Sequence, residues 1–263
     1  MELKEKILEL KDIKMKYHTL DQETIAVKNI NLDVYNGEFL SIVGPSGCGK
    51  STILSVISGL MKPSSGEVKF NNRYIKPSDM GIGYMLQRDY LFEWRTIEQN
   101  VLLGLEIKKA LDEKSREYAL ELIDKYELGK FRNHYPNQLS GGMRQKVALI
   151  RTLAVKPQIL LLDEPFSALD FQTRINLSEE VWRIIKGEQK TAILVTHDIS
   201  EAVSLSDRVA IFSKRPSEVK EVLSIDFGVS RISIKEKRKE KKFNEYFDVI
   251  WSELNNEKKD EIK

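Results

Sequence analysis

The sequence has few of the features that would place a chain outside the cytosol or inside a membrane. Its 263 residues contain a single cysteine, Cys48, which excludes an internal disulfide and fits a reducing compartment. No apolar run approaches the roughly 20 residues that cross a bilayer, and the N-terminus has no hydrophobic segment typical of a secretory signal. The 42 basic and 40 acidic residues nearly cancel, so no overall positive charge indicates nucleic acid as a partner. We therefore expect a globular protein of the cytosol, long enough to bury a full core.

The stretch Gly44–Thr52 (GPSGCGKST) fits the phosphate-loop pattern G-x-x-x-x-G-K-S/T at every fixed position. It lies between an apolar run that predicts a strand, Glu38–Val43, and a helical pattern that follows it. Its glycines permit backbone angles that turn consecutive N–H groups inward around a phosphate. We expect Lys50 to contact the outer phosphates, Ser51 to bind Mg²⁺ and the helix start to face the anion. The alternative is a glycine-rich turn that binds nothing, which the agreement of strand, motif and helix disfavours.

Two further apolar runs predict buried strands that end in reactive side chains, and their bounds are Gln158–Leu162 and Thr191–Val195. The first is followed by Asp163 and Glu164, whose side chains point to opposite sides of a strand and need not share a role. One can hold hydrated Mg²⁺ while the other approaches a water, and the alternative is a solvated strand end. The second is followed by His197. A phosphate contact is favoured there over a structural or surface histidine, because this strand end shares a sheet edge with the phosphate loop.

Two polar positions have weaker support from spacing alone. Gln87 follows the predicted strand Ile82–Leu86. A glutamine at the end of a strand is usually only a polar residue where the chain leaves the sheet, although its amide is also placed to reach a metal or an attacking water. Tyr17 ends an alternating pattern over residues 8–17, which with residues 30–35 predicts antiparallel strands that have one face in water. At Tyr17 a half-buried strand residue is favoured over a ring that stacks on a flat base.

The middle and the end of the chain predict helices. Helical spacing from Thr96 to about Tyr126 predicts a helical insertion. The stretch Leu139–Gln145 (LSGGMRQ) then predicts a second helix start suited to an anion, since Ser140 is a good N-cap and two glycines let a ligand approach the backbone. The charged run 235–242 predicts a solvated linker or helix face, and attraction to anionic lipid is the minority interpretation. The amphipathic stripe after it predicts a helix that docks back onto the domain.

Taken in order, these motifs resemble those of the nucleotide-binding subunit of an ATP-binding cassette (ABC) transporter, over nearly all of residues 17–212: Gly44–Thr52, Gln87, Leu139–Gln145, Asp163–Glu164, Ser167–Asp170 and His197. The resemblance implies an α/β fold with a P-loop NTPase (RecA-like) core, an antiparallel β subdomain and an inserted α-helical subdomain. The implied boundaries are 1–225 for the ATPase domain, about 88–153 for the helical subdomain within it, and 226–263 for a charged C-terminal extension with an amphipathic helix.

The resemblance also implies roles for individual residues. Tyr17 would stack on adenine, and the ATP phosphates would contact the loop residues Gly44, Pro45, Ser46, Gly47, Cys48, Gly49, Lys50, Ser51 and Thr52. Mg²⁺ would be bound by Ser51 and Asp163 and sensed by Gln87. Glu164 would be the general base for the attacking water, and His197 would bridge to the γ-phosphate. In a head-to-tail pair, Ser140, Gly141 and Gly142 of one subunit would contact the ATP held by its partner, and Asp170 would connect the two sites.

The function implied by the resemblance is that of an importer's ATP-hydrolysing subunit with ATP and Mg²⁺ as cofactors. Its implied partners are a second ABC ATPase subunit, expected to be identical, a transmembrane permease and, indirectly, an extracytoplasmic substrate-binding protein, with no nucleic acid. The expected location is the cytoplasmic face of the membrane, as a peripheral subunit. The segment Gln87–Asn100 and the pair Arg215–Pro216 resemble the nitrate, sulfonate and taurine importers, except that Glu93 stands where that group often has proline.

The alternative function is that of a non-transport ABC ATPase acting on ribosomes or DNA. Proteins of that kind usually carry two cassettes in one chain or a long coiled-coil insertion. This sequence has one set of motifs and a short helical insertion. Transport is therefore favoured, although the sequence does not identify the solute, because in importers the permease and the binding protein recognise it.

Overall fold

A computed structural model describes residues 5–18, 23–75, 81–228 and 233–259. Within these ranges the strands are β1 (Lys6–His18), β2 (Glu23–Tyr35), β3 (Phe39–Val43), β4 (Ser65–Phe70), β5 (Arg73–Tyr74), β6 (Ile82–Met85), β7 (Ile159–Asp163), β8 (Thr191–Val195), β9 (Arg208–Phe212) and β10 (Ser217–Ser224). The helices are α1 (Lys50–Ile57), α2 (Ile97–Ile107), α3 (Glu113–Lys125), α4 (Gly141–Ala154), α5 (Phe171–Gly187), α6 (Ile199–Leu205), α7 (Ile234–Lys237) and α8 (Lys241–Lys259).

The chain divides into two units, of which the first combines Met1–Asp79 with Gln189–Lys263 and the second is Met80–Glu188. The second unit includes residues 88–153, for which a helical subdomain is predicted, together with β6, β7 and α5. Among the helices that the structure describes, none has the length and apolar character that a membrane crossing requires.

The strands of the first unit follow the order β5-β4-β1-β2-β10-β9-β3-β8. β1 pairs antiparallel with β2 and with β4, which confirms the antiparallel strands predicted from the alternating pattern. β3 lies between β9 and β8 and runs parallel to both. Both β3 and β8 are buried along their full length, as continuous apolar runs in a parallel sheet should be. Because Ile42 pairs with Val195, the phosphate loop and His197 leave the sheet at the same edge, as predicted.

The second unit contains the strands β6 and β7 and the helices α2, α3, α4 and α5. β6 and β7 are parallel, and the pairing of Met85 with Leu162 brings the segments that carry Gln87 and Asp163 to one edge. The region predicted as helical from Thr96 to about Tyr126 is divided into α2 and α3. Each of these helices begins with a reciprocal capping box, which explains the division, since each box satisfies the first backbone N–H groups of a separate helix.

The C-terminal part of the chain belongs to the first unit and packs against its other elements. α8 contributes Phe243 and Ile250 to a buried cluster that also contains residues of α6 and β9. The predicted docking of the amphipathic stripe onto the domain is therefore confirmed.

Candidate functional site

The loop between β3 and α1 depends on glycine for its backbone conformation. Gly47 and Gly49 have φ angles of +74° and +108°, a region that residues with a side chain rarely adopt. A Cβ on Gly49 would lie 3.1 Å from Val27 Cγ2, and a Cβ on Gly44 would lie 2.9 Å from Cys48 Sγ. α1 begins directly after Gly49 with no side-chain N-cap. Its first backbone N–H groups therefore suit a ligand anion in place of a cap.

Lys50 lies within this loop. Its side chain is almost fully buried, and Nζ donates to the backbone oxygens of Gly44 at 2.8 Å and Pro45 at 2.9 Å. An ammonium on a flexible stem can exchange carbonyl oxygens for phosphate oxygens over a short movement. The cradle formed by the glycines and the ammonium inside it both fit a polyphosphate.

Tyr17 lies beside the first turn of α1. Its hydroxyl is 3.0 Å from Thr52 Oγ1, and 37% of the residue is exposed. The structure thus brings Tyr17 to the loop helix while its ring remains accessible. Stacking on adenine stays a prediction.

His197 is exposed and lies two residues after the end of β8. The residues around it are held by hydrogen bonds: the Thr196 hydroxyl donates to Glu201 Oε2 at 2.6 Å, and Asp198 caps α6 by accepting from the N–H groups of Ser200 and Glu201. Thr196 and Glu201 are buried, and neither has a role predicted from the sequence. The Asp-x-x-Glu spacing from Asp198 to Glu201 is a signal that could have identified Glu201, because it is typical of a helix N-terminus, whereas Thr196 lies outside this pattern.

Asp163 and Glu164 occupy different environments at the end of β7. Asp163 is 8% exposed, and its Oδ2 accepts a hydrogen bond from the Tyr84 hydroxyl at 3.2 Å. Glu164 is half-buried and has a φ of +45°, which is uncommon for a residue with a side chain. Such a conformation costs of order 1–3 kcal/mol and is often found at functional sites. Sequence reasoning missed Tyr84, and only the register of β6 against β7 reveals its contact.

Gln87 is connected to the segment after Glu164. Its Nε2 donates to Ser167 Oγ at 3.1 Å, and the Ser167 hydroxyl donates in turn to the backbone oxygen of Glu164 at 3.0 Å. Gln145 donates to the backbone oxygen of Gln87 at 3.3 Å. These bonds bring the predicted metal sensor and the predicted base into one network within the second unit. Ser167, which has no individual role predicted from the sequence, is the link between them.

The stretch Leu139–Gln145 opens α4 as predicted. Ser140 is the N-cap, and its Oγ accepts from the Met143 N–H at 3.3 Å. Gly141 is exposed, and Gly142 is half-buried. A Cβ on Gly142 would lie 3.3 Å from Thr173 Cγ2, so this helix start lies against the start of α5.

Asp170 is the N-cap of α5 and is exposed. The backbone N–H of Thr173 donates to Asp170 Oδ1 at 3.0 Å, and this bond holds the pKa of the carboxyl below its ordinary value. The carboxylate is therefore ionised at neutral pH.

The described residues contain no cluster of three or more histidine, cysteine, aspartate or glutamate side chains suited to a metal. Mg²⁺ does not require such a cluster, because it keeps several waters and is usually held by one or two protein oxygens together with substrate phosphates. The hydroxyl of Ser51 and the carboxylate of Asp163 are ligands of that kind.

Comparison with known proteins gives consistent results. The family model described as ABC transporter matches residues 27–167. The uncharacterized ABC transporter ATP-binding protein YtlC of Bacillus subtilis is 48% identical over 239 residues, which cover 91% of this chain and 92% of that protein. The aliphatic sulfonates import ATP-binding protein SsuB of Bacillus licheniformis is 42% identical over 209 residues, which cover 80% of this chain and 81% of that protein.

A solved structure is also similar: the dimeric post-hydrolysis state of the ATP-binding cassette MJ0796 bound to ADP and Pi. It has a TM-score of 0.71 and 36% sequence identity, and the match covers 84% of this chain and 99% of that one. This likeness confirms the α/β fold class predicted from the sequence.

Proposed function

This chain belongs to the ABC transporter family, as an ATP-hydrolysing ATP-binding subunit, and from that membership we propose that it drives an importer for a small solute. The observation that carries the importer role is the 42% identity, over 80% of the chain, to a protein named for aliphatic sulfonate import. The proposed solute class is accordingly a small organic or inorganic oxyanion. The chain would work at the cytoplasmic face of the membrane with a separate permease and an extracytoplasmic binding protein.

The first unit would bind the nucleotide. The N–H groups of the phosphate loop and the ammonium of Lys50 would contact the phosphates, and the accessible ring of Tyr17 would stack on adenine. Ser51 and Asp163 would hold Mg²⁺, with Gln87 near it, and the ion would neutralise charge on the phosphate oxygens. This assignment is supported by the glycine conformations of the loop and by the buried position of Lys50.

Glu164 would act on the attacking water. As the water oxygen bonds to the γ-phosphorus and the bond to the β–γ bridging oxygen breaks, Glu164 would accept the water's proton. His197 would donate a hydrogen bond to a γ-phosphate oxygen. The strained backbone of Glu164 and its link to Gln87 through Ser167 support this role, because a base must be held at a fixed position to be effective.

A second copy of the chain would complete each site. The Ser140 oxygen accepts from the Met143 N–H, and its own O–H is then suited to donate to a phosphate oxygen presented from outside the unit. Gly141 and Gly142 would allow close approach of that phosphate, and Asp170 would lie at the junction of the two copies. The dimeric MJ0796 cassette supports this arrangement.

A stacked aromatic pair in the second unit, in which Trp94 is exposed and Phe92 is half-buried, is suited to contact the permease. Trp94 is 73% exposed and stacks on Phe92 with ring centroids 4.8 Å apart. Buried Asn100 holds the loop in place, since its side chain accepts from the Phe92 N–H at 2.7 Å and donates to the Arg95 oxygen at 3.1 Å. An exposed aromatic ring on a fixed loop is typical of a protein contact.

The test is a pull-down of the tagged chain from detergent-solubilised membranes, with co-purifying polypeptides identified by mass spectrometry. We expect a multi-span permease to co-purify, and we expect Trp94→Ala to reduce its recovery without changing ATP hydrolysis by the isolated chain. Ile107→Ala is the matched control, since Ile107 is also exposed, at 72%, and lies on α2. Recovery of ribosomal or DNA-bound proteins without a permease would overturn the importer role and favour the alternative function.

A further inference from the structure

One apolar cluster in the first unit joins the C-terminal helix to both segments that flank the nucleotide. α8 contributes the buried side chains of Phe243 and Ile250, and the other buried members are Val43, Ile199, Ala202, Val203, Val209, Ile211 and Ile225. Val43 directly precedes Gly44 of the phosphate loop, and Ile199 begins α6 just after His197. The C-terminal helix therefore shares a packed core with the segments that lead into both parts of the proposed site.

Polar contacts of the basic run add to this packing. Lys237 Nζ donates to the backbone oxygen of Ser204 at 2.9 Å, and Arg238 Nε donates to Ser204 Oγ at 3.1 Å. Ser204 lies in the last turn of α6, where positive side chains interact favourably with the helix dipole. A lysine outside the basic run also contacts the C-terminal helix: Nζ of Lys220, in β10, donates to the backbone oxygen of Glu253 in α8 at 2.8 Å. Lys237 and Arg238 thus bind α6, which accounts for part of the basic run without a lipid surface.

α6 depends on these contacts because it has only 7 residues. Isolated helices of this length are not stable in water, so tertiary packing must fix the position of α6. The bond from the Thr196 hydroxyl to Glu201 Oε2 then ties α6 to the residue before His197. A displacement of α6 would therefore move Thr196 through this 2.6 Å bond, and His197 is the next residue along the chain.

We propose that α8 is a positioning element of the ATPase site, in which Phe243 and Ile250 hold α6 and, through Glu201 and Thr196, the imidazole of His197. These two residues act through others and touch neither ATP nor its reacting atoms. The inference rests on the proposed role of His197 at the γ-phosphate. It assigns a function to the C-terminal extension, residues 226–263, all of which lies outside the residues 27–167 that the family model matches.

The test is Ile250→Ala in the full chain, with Ile7→Ala as the matched control. Both isoleucines are buried, Ile7 lies in β1, and it is not a member of the cluster around α8. We expect Ile250→Ala to lower kcat for ATP about fivefold to tenfold with KM within about twofold, because the loop and Tyr17 still bind the nucleotide. Ile7→Ala should leave kcat unchanged at temperatures where both variants are folded, and Ile250→Val should recover most of the wild-type rate.

A second readout follows the histidine directly. The chain has 3 histidines, so the imidazole NMR signals can be assigned with single substitutions. We expect Ile250→Ala to shift the His197 signal and to speed hydrogen exchange of the α6 amides, while Ile7→Ala changes neither.

A wild-type kcat together with an unshifted His197 signal in Ile250→Ala would overturn the inference. Wild-type turnover in His197→Ala is a different result, because it would refute the proposed role of His197 at the γ-phosphate.

Discussion

The two glycine-rich helix starts of this chain differ in what makes glycine necessary. Before α1, Gly47 and Gly49 adopt positive φ angles, and α1 has no side-chain cap. In α4, Gly141 and Gly142 are the first residues of a regular helix whose N-cap is Ser140. The backbone of the phosphate loop therefore requires glycine for its own conformation, whereas the backbone of α4 does not.

In α4, glycine has a free-energy cost that the fold of the helix does not require. Glycine in a helix is less favourable than alanine by up to about 1 kcal/mol per residue. A Cβ on Gly141 would lie 3.4 Å from Leu169 Cδ2, an ordinary contact that leaves room for alanine. The fold of the second unit thus tolerates a side chain at position 141. Under the proposed function, the requirement for glycine comes from the phosphate that the partner subunit presents.

The largest expected effect tests the proposed division of labour, in which the first unit binds the nucleotide and turnover also needs Glu164 of the second unit. Glu164→Gln should lower turnover on the order of 10²–10⁴-fold, because it removes the proposed base, while ATP binding is retained. Turnover and binding of a fluorescent ATP analogue are measured on the same preparation. Glu117→Gln, at an exposed position of α3, is the matched control and should behave as wild type. Turnover of Glu164→Gln near the wild-type rate would contradict the assignment.

The next prediction compares one glycine from each helix start. Gly49→Ala should lower the free energy of unfolding by about 1–3 kcal/mol and weaken ATP binding, because alanine is strained at a φ of +108°. Gly141→Ala should leave that free energy unchanged or raise it by up to about 1 kcal/mol.

The same Gly141→Ala variant should nevertheless lose turnover on the order of 10–100-fold, since a methyl group would displace the phosphate of the partner site. Thermal unfolding, nucleotide binding and turnover are measured for both variants. A loss of stability in Gly141→Ala comparable to that in Gly49→Ala would remove the distinction between the two helix starts.

Much of the fold could be predicted because the informative signals are local. Continuous apolar runs identified β3, β7 and β8, since strands buried on both faces must be apolar along their length. The phosphate loop could be located from sequence because its glycines, Lys50 and Ser51 occupy fixed spacings. Ser140 could be recognised as an N-cap for a similar reason, since a cap bonds to a backbone group three residues away.

The contacts that position the site could not be predicted in this way. The bond from Tyr84 to Asp163 joins residues 79 apart and depends on the register of β6 against β7, and the bond from Gln87 to Ser167 spans 80 residues. A single sequence contains no local signal for such pairs. Likewise, the amphipathic stripe of α8 predicted docking, but the sequence did not indicate that the helix packs on α6 and Val43.

The smallest expected effect concerns the caps of α4 and α5, which differ in charge. Both Ser140 and Asp170 accept a hydrogen bond from the backbone N–H three residues later, but only Asp170 titrates. Ser140→Ala should therefore cost about 1 kcal/mol of stability. This loss should be the same at every pH, since no titrating group is removed.

Asp170→Asn keeps an oxygen that can cap α5 and removes only the ionisation. Because donation from Thr173 lowers the folded-state pKa of Asp170 below its ordinary value of 3.8, the carboxylate adds stability above that value and loses it as pH falls through the lower folded pKa. The melting temperature of the wild type should therefore exceed that of Asp170→Asn near pH 7, and the difference should shrink as the pH falls below 3.8 toward the lower folded pKa. Thermal unfolding monitored by circular dichroism across this range measures it. A difference that stays constant with pH would show that the cap of α5, like that of α4, acts without charge.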